Sequence, residues 1–472
     1  MQIGIVGFMT GRMVHIKSFG CQMNKLDTAL VTEALSRAGF GFAEQVEQAD
    51  IVLINTCSVR DHAEQRVMSH LGHLKHIKKT KPDLVVAVIG CMAQRLGGEL
   101  LKNSVVDIVC GPGQIPQVAQ LITEALAEKK KAIAVTEKIR QGLAKEQAEE
   151  LEEFECAYDA GDEHLPGQAF VSVMRGCDKF CSYCVVPYVR GPEVSRAPAL
   201  IIEQVKRLAD EGVKQVTLLG QRINAYEYNA GDLGAPGYCL ADLLTMISDI
   251  AGIEWIKFVT SYPSAKYFDR ILEVMANLPK VCRYLHLPAQ SGSDKILKAM
   301  NRGYTCADYI ELIERARKIV PDTAIAGDFI VGFPGETEED FQQTVDLVKK
   351  ARYKNCFVFK YSPRPGTTAD KRLDDTVPIE IKKQRNYELL KVQEKISDEL
   401  AQAFLGKTVT VLIEGLSKKP HLDWPRRENP QLVARTATDW IVVFDGPQSL
   451  AGRFAEVKIT RASALTLFGE RA

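Results

Sequence analysis

Short apolar runs alternate with helical segments over residues 13–130. Strands are predicted at residues 14–19, 50–55, 84–90 and 105–110, and the runs at 50–55 and 84–90 are of the buried type. Residues 28–38 and 62–78, which lie between these runs, are predicted as helices. Strands that alternate with helices of this length form a parallel sheet covered on both faces. The pattern predicts an α/β fold that begins with a parallel α/β domain at residues 13–130.

The alternation is interrupted at residues 131–167 and then resumes. The interruption contains an acidic run at residues 149–155 and is predicted to be a charged linker. Six further apolar runs begin at residues 170, 215, 255, 284, 324 and 357. With helices between them, these runs predict a complete or partial (β/α)6 barrel at residues 168–404, with its active site at the C-terminal strand ends. Residues 377–404 are predicted as one long polar helix.

The last segment, residues 405–472, has a different pattern. Four short strands are predicted at residues 408–413, 432–437, 440–444 and 454–459, separated by turns, which indicates a small β-barrel of OB type. Ten Lys or Arg against seven Asp or Glu after residue 400 give this segment a charge of +3. Any local nucleic-acid site is expected at its clustered cations, which are Lys418, Lys419, Arg426, Arg427 and Arg435.

Composition restricts the class of protein. The 472 residues are 46% hydrophobic with a net charge of +0, which excludes fibrous and wholly disordered chains and a globally basic coat for nucleic acid. No apolar run reaches the ~18–20 residues that span a bilayer, so we expect a cytoplasmic protein without membrane contact. Translation is expected to start at Met1 or at Met13, where a cleaner strand pattern begins. Twelve cysteines in such a chain favour reduced, metal-binding thiols over disulfides.

The strongest motif directly follows the strand predicted at residues 170–174. It contains Cys177, Cys181 and Cys184, with the spacing Cys-x3-Cys-x2-Cys. Three thiolates in one loop suit a cubane cluster that leaves one iron open to chelate a small molecule. The alternative is a zinc loop whose fourth ligand lies elsewhere in the chain.

This motif resembles the signature of the radical S-adenosylmethionine superfamily. The resemblance implies a [4Fe–4S] cluster whose free iron binds S-adenosylmethionine, and reductive cleavage to a 5′-deoxyadenosyl radical. It also implies a cofactor pocket built from turns at the barrel strand ends. The residues assigned to that pocket are Gly220, Gln221, Gln290, Ser291 and Gly332.

Three other cysteines each follow a predicted strand of the first domain. Cys21, Cys57 and Cys91 lie about 35 residues apart. Because parallel strands end at one edge of a sheet, these thiols can meet at one point. Each also lies near a helix N-terminus, which favours the thiolate. The alternative for each is a buried, unreactive cysteine.

With this second set of cysteines, the chain resembles the methylthiotransferase family over essentially its whole length. The family order is a cysteine-triad domain, a radical domain and a β module called TRAM. The resemblance implies that Cys21, Cys57 and Cys91 hold an auxiliary [4Fe–4S] cluster carrying the sulfur to be delivered. No side-chain general base is evident from the sequence, and no catalytic residue is assigned beyond the cluster ligands.

The segment at residues 172–196 is similar to the MiaB branch of that family. This branch adds a methylthio group to carbon 2 of N6-isopentenyladenosine at position 37 of tRNA. The implied partners are the tRNA anticodon loop and a reducing electron donor such as flavodoxin or ferredoxin, and we expect a monomer. Arg364, in a predicted strand-end turn, is a further candidate for a tRNA phosphate contact. Met300-Asn-Arg-Gly-Tyr resembles another family segment of unassigned role.

Three alternatives stay open from the sequence. The RimO branch modifies an aspartate of a ribosomal protein, and another branch acts on threonylcarbamoyladenosine in tRNA. A protein that binds RNA and metal without catalysis would use both cysteine sets structurally. Iron content, deoxyadenosine production and mass spectrometry of both substrates separate these functions.

Overall fold

The computed structural model describes residues 11–58, 61–158, 166–229, 237–263, 268–417 and 430–472, without the side chains of residues 61–63. The chain divides into two units. The first unit comprises Met1–Asp159, Met174–Phe180 and Cys184–Arg196. The second comprises Ala160–Val173, Cys181–Tyr183 and Ala197–Ala472. Within the described parts, every helix is too short or too polar to cross a lipid bilayer.

The first unit is built on a parallel sheet of six strands in the order β2-β1-β3-β4-β5-β6. All residues of β3 and β4 are buried, which explains their continuous apolar sequences. Sequence analysis identified β1, β3, β4 and β5 but not the two short edge strands. The strands are β1 (Met13–Ser18), β2 (Gly41–Phe42), β3 (Ile51–Thr56), β4 (Val85–Gly90), β5 (Ile108–Cys110) and β6 (Ala132–Ala134).

Helices of the first unit pack on this sheet around a core that includes Val52, Ile54, Val86 and Val88. The helices are α1 (Gln22–Arg37), α2 (Asp61–Thr80), α3 (Cys91–Leu96), α4 (Gly98–Leu101), α5 (Val118–Glu128), α6 (Lys145–Cys156) and α7 (Val186–Val189). A small antiparallel pair, β8 (Met174–Arg175) and β9 (Val194–Ser195), completes the unit.

The segment predicted to be a charged linker differs in the structure. Residues Ala132–Ala134 extend the sheet as β6, and α6 packs against the turn Pro112–Gln117. Leu151 and Glu155 of α6 are buried. The described part of the acidic run therefore belongs to the folded first unit. Part of its charge is paired with arginines rather than solvated.

The second unit contains the predicted partial barrel. Two parallel three-stranded sheets have the orders β13-β10-β7 and β14-β15-β16, and a parallel bridge between Ile256 and Val281 joins them. The strands are β7 (Gln168–Ser172), β10 (Gln215–Leu219), β13 (Trp255–Phe258), β14 (Tyr284–His286), β15 (Ala324–Val331) and β16 (Asn355–Lys360). A hairpin is formed by β11 (Glu227–Tyr228) and β12 (Tyr238–Cys239).

Helices separate the barrel strands, as predicted. They are α8 (Pro198–Asp210), α9 (Leu240–Ser248), α10 (Phe268–Asn277), α11 (Asp294–Ala299), α12 (Cys306–Ile319), α13 (Glu338–Ala351) and α14 (Thr368–Arg372). The long helix predicted after the barrel is confirmed as α15 (Ile379–Gln402).

The C-terminal strands close into a five-stranded barrel in the order β17-β18-β19-β21-β20. The predicted small β-barrel is confirmed, with one strand more than the sequence indicated. The strands are β17 (Thr408–Leu416), β18 (Gln431–Thr436), β19 (Ile441–Asp445), β20 (Phe454–Ala462) and β21 (Thr466–Arg471).

This β-barrel docks on the N-terminal ends of the parallel strands. Trp255, the first residue of β13, packs edge-on against Phe454 with ring centroids 4.8 Å apart. Asp439 accepts a hydrogen bond from Lys257 at 3.3 Å and pairs with Lys354, the residue before β16, at 3.5 Å. The β-barrel therefore lies at the end of these strands opposite to the C-terminal ends that carry the predicted pocket.

Candidate iron–sulfur sites

Three cysteines meet at the carboxyl edge of the six-stranded sheet. Cys21 directly precedes α1, Cys57 follows β3, and Cys91 opens α3 directly after β4. Strands β1, β3 and β4 are parallel neighbours and end at the same edge of the sheet. Cys57 and Cys21 share a side-chain hydrogen bond, and Cys91 is close enough to Cys21 for their charges to interact. The structure thus brings these three together as a group, which we call the sheet-edge trio.

The surroundings of the sheet-edge trio favour a thiolate at Cys21. The hydrogen bond with Cys57 lowers the pKa of Cys21 to about 6, and Arg190 and the backbone N–H groups at the start of α1 act in the same direction against burial. Burial raises the pKa of the Cys91 thiol, while Arg190 opposes that shift. Anionic sulfur is the form that ligates iron, so this environment suits a metal centre.

Two fully buried asparagines fix the geometry of the sheet-edge trio. Asn24 Oδ1 accepts from the Cys21 backbone N–H at 3.2 Å, and Asn24 Nδ2 donates to Asn55 Oδ1 and to the Thr56 carbonyl, both at 2.9 Å. Asn55 Nδ2 donates back to the Asn24 carbonyl at 2.8 Å. Sequence analysis missed both asparagines, although each lies within three residues of a trio cysteine. They tie the start of α1 to the end of β3.

The cysteine-rich motif supplies a second set of three cysteines, Cys177, Cys181 and Cys184, which we call the loop trio. Cys177 and Cys184 belong to the first unit, whereas Cys181 belongs to the second. The Cys177 backbone N–H donates to the Gly191 carbonyl at 3.0 Å. Gly176 has φ +78°, and a Cβ there would lie 1.8 Å from the Pro192 carbonyl oxygen. Only glycine therefore permits this close return of the loop on itself.

Cys181 is buried and has a cationic neighbour in the second unit. Arg302 Nη1 donates to the Cys181 sulfur at 3.3 Å, and Nη2 donates to the Pro288 carbonyl at 2.9 Å. The guanidinium also lies 4.4 Å from the ring centre of Tyr262 and 5.0 Å from that of Tyr304. This contact gives a role to the Met300-Asn-Arg-Gly-Tyr segment that sequence analysis left unassigned.

The acidic helix α6 holds both flanks of the motif. Buried Glu155 pairs with Arg175, two residues before Cys177, and lies 3.5 Å from Arg196. Glu152 accepts from Arg196 Nε at 2.7 Å. The motif is thereby anchored on the first unit by ion pairs that sequence analysis did not anticipate.

The five residues predicted to line the cofactor pocket lie in the second unit, near the C-terminal ends of β10, β14 and β15. They are Gly220, Gln221, Gln290, Ser291 and Gly332. The Ser291 hydroxyl is directed to Thr344 Oγ1 at 3.3 Å, and a Cβ on Gly332 would lie 2.3 Å from Lys382. These two residues thus have packing roles, and contact of all five with a cofactor stays a prediction.

The predicted RNA contacts are placed differently. Lys418, Lys419, Arg426 and Arg427 lie outside the described residues. Arg435 pairs with Glu414 at 2.9 Å and with Asp439 at 3.1 Å, and Arg364 is buried. The positions of Arg435 and Arg364 do not favour the predicted phosphate contacts, because both arginines are engaged or enclosed within the fold.

Comparison with known families covers most of the chain. The profile of the Radical SAM superfamily matches residues 171–348, that of an uncharacterized protein family, UPF0004, matches residues 13–111, and that of the TRAM domain matches residues 402–471. The chain is 43% identical over 459 residues to the tRNA-2-methylthio-N(6)-dimethylallyladenosine synthase of Rhodopirellula baltica, an alignment that covers 97% of the chain and 95% of the relative. The chain belongs to the tRNA-2-methylthio-N(6)-dimethylallyladenosine synthase family.

Further members of this family give the same result. The synthase of Thermoanaerobacter sp. is 43% identical, with 97% of the chain and 92% of the relative covered. The synthase of Aquifex aeolicus is 40% identical, with 96% and 97% covered. Among solved structures, a radical S-adenosylmethionine methyltransferase, TsrM, from Kitasatospora setae matches with a TM-score of 0.52 at 15% identity, covering 76% of this chain and 77% of that one. The family and the fold class expected from the motifs are therefore confirmed.

Proposed function

We propose that this protein adds a methylthio group to carbon 2 of N6-isopentenyladenosine at position 37 of tRNA by radical S-adenosylmethionine chemistry. Its membership of the synthase family supports the reaction and the tRNA substrate. The observation that carries the proposal is the convergence of Cys21, Cys57 and Cys91 at one sheet edge, in addition to the loop trio. A single radical centre would not need this second set of thiols.

The donor set of the sheet-edge trio fits an iron–sulfur cluster. Cysteine thiolates are the usual ligands of [4Fe–4S] clusters, and three of them leave one iron open. Within the described residues, no group of three His, Cys, Asp or Glu side chains is arranged to hold a single metal ion. Buried Arg190 compensates the negative charge that three thiolates and the cluster bring.

In this proposal the loop trio holds the other [4Fe–4S] cluster and S-adenosylmethionine. When bound, these two groups supply the 5′-deoxyadenosyl radical and the methyl group, and the cluster of the sheet-edge trio supplies the transferred sulfur. Arg302 positions Cys181 through its hydrogen bond to sulfur. The pocket residues at the ends of β10, β14 and β15 would line the site of the cofactor, and the buried strand ends there would exclude water from it.

The target base has to leave the anticodon-loop stack to reach this pocket. We infer that the +3 β-barrel holds tRNA at a distance from the chemistry, since it docks on the N-terminal strand ends. The cations of residues 418–427 are its proposed phosphate contacts. A reductant of flavodoxin or ferredoxin type, a monomeric state and a cytoplasmic location complete the proposal.

The test uses anaerobically reconstituted, reduced protein with S-adenosylmethionine. One reaction contains tRNA bearing N6-isopentenyladenosine, and a parallel one contains the small-subunit ribosomal protein. Mass spectrometry should find the methylthio adduct only in the digested tRNA. An adduct on the ribosomal protein would transfer the assignment to the RimO activity, and the absence of both adducts would favour a non-catalytic RNA-binding role.

Two serine variants make the test specific. Cys21→Ser should abolish the tRNA adduct. Cys239→Ser should retain it, because Cys239 lies at the N-cap of α9, where serine is a favourable residue. Equal loss in both variants would contradict the assignment of the sheet-edge trio.

A further inference from the structure

One buried cation in the first unit contacts the sheet-edge trio directly. Arg190 Nε donates to the Cys91 sulfur at 3.3 Å, and its Nη2 donates to Asp27 Oδ2 at 2.6 Å. The side chains of Arg190 and Asp27 are 4% and 1% exposed. Asp27 lies in α1, whose N-cap is Cys21. The ion pair therefore links Cys91 to the helix that Cys21 precedes.

This ion pair leaves polar atoms unused. Within the described part of the chain, Arg190 Nη1 and Asp27 Oδ1 are buried without a hydrogen-bond partner. A buried guanidinium donor without an acceptor is costly, so such an atom indicates a missing anionic partner. The sulfurs of the sheet-edge trio beside it mark where that partner is held.

Arg190 comes from the segment that carries the loop trio. It lies six residues after Cys184 in the sequence, and Val185 and Val189 between them pack against Cys91. Six residues span at most about 20 Å. The segment that packs beside the sheet-edge trio therefore follows directly on the loop trio in the chain. Both trios thus depend on the placement of residues 184–190.

We propose that Arg190, oriented by Asp27, is a positioning residue that donates hydrogen bonds to the Cys91 sulfur and to the sulfur-bearing cluster at the sheet-edge trio. This inference rests on the proposed function, since it assumes a cluster on these cysteines. A cation and an N–H···S bond stabilise the more negative, reduced form of a cluster. Arg190 therefore raises the reduction potential of this cluster relative to a neutral residue.

The test isolates one cluster in the full-length chain. Substitution of Cys177, Cys181 and Cys184 by alanine removes the ligands of the loop trio. After anaerobic reconstitution, iron is counted and the remaining cluster is titrated by electron paramagnetic resonance at controlled potential. Arg190→Gln should lower the ratio of reduced to oxidised cluster about tenfold at a fixed potential, which corresponds to a shift of about 59 mV for one electron.

Arg302→Gln in the same background is the matched control. Arg302 is also a buried arginine beside a cysteine sulfur, but its partner is Cys181, which this background lacks. It should leave the potential unchanged. Arg190→Lys keeps the charge but loses the planar fork, so it should give a smaller shift of the same sign.

The outcomes separate the two proposals. A parent protein without a cluster would refute the proposed function and this inference with it. A parent with a cluster, and variants with unchanged potential and iron, would overturn the role of Arg190 alone. A folded Arg190 variant that no longer takes up iron supports the role, and circular dichroism establishes folding. If Arg190→Gln does not fold, Arg190→Lys decides by the same criteria.

Discussion

The ion pairs between α6 and the radical motif make Glu155 a sensitive position. Its carboxylate is buried between Arg175 and Arg196, one on each side of the loop trio in the sequence. Glu155→Gln keeps the shape of the side chain and removes its charge. Both arginines then lose a buried counter-charge, although Glu152 still pairs with Arg196 at 2.7 Å.

Removal of one partner from a buried pair destabilises a protein by about 3–5 kcal/mol. Because Glu152 remains, we expect the lower limit, about 3 kcal/mol. For a domain of ~150–250 residues, 1 kcal/mol shifts the melting temperature by about 2–4 °C, so the expected decrease is about 6–12 °C. Thermal unfolding of the apo protein, followed by circular dichroism, measures it.

Glu153→Gln is the matched control, since Glu153 is an exposed carboxylate on the same helix. It should change stability by less than about 0.5 kcal/mol, or about 2 °C. A Glu155→Gln protein with the melting temperature of the wild type, or of Glu153→Gln, would refute the claim that the ion pairs of α6 stabilise the flanks of the cysteine motif.

Three further predictions follow from other contacts. Arg302→Gln should slow 5′-deoxyadenosine formation about tenfold, because Cys181 loses a charged hydrogen bond worth ~1.5–3 kcal/mol; an unchanged rate by chromatography would contradict this. Burial lowers the pKa of Lys354 to about 8, so between pH 8 and 10.5 the unfolded chain binds more protons than the folded one. The free energy of unfolding, measured by urea denaturation at several pH values, should therefore rise with pH by up to about 3 kcal/mol relative to that of Lys354→Met. The same pH dependence in both proteins would disprove this. Gly176→Ala should reduce iron uptake, since its Cβ would meet a carbonyl oxygen. Gly212→Ala is the control and should retain iron uptake, because Gly212 also has a positive φ but no atom lies within 4 Å of the added Cβ. Equal iron contents in the two variants would count against the tight loop.

The strands and the cysteine trios could be predicted because each has a local signal. The apolar runs of β3 and β4 mark buried parallel strands, and the rule that such strands end together brings Cys21, Cys57 and Cys91 to one edge. The motif spacing alone identifies the loop trio. These features need only neighbouring residues and a general rule of sheet topology.

The supporting contacts could not be predicted because they join distant parts of the chain. Arg190 and Cys91 are separated by 99 residues, and Arg302 and Cys181 by 121. Nothing near α6 in the sequence indicates that Glu155 faces two arginines, so its acidic run suggested a solvated linker. The short edge strand β6 gives no periodic signal over three residues. Side-chain pairing across the fold, rather than local propensity, decides these positions.

The central claim is that two separate cysteine trios each hold a cubane cluster. Mössbauer spectroscopy of anaerobic protein reconstituted with ⁵⁷Fe, together with iron analysis, tests it most directly. The account predicts about eight irons per chain in two [4Fe–4S] clusters, and about four in each of Cys21→Ser and Cys177→Ser. A single cubane in the wild-type protein, or loss of the same cluster in both variants, would contradict it.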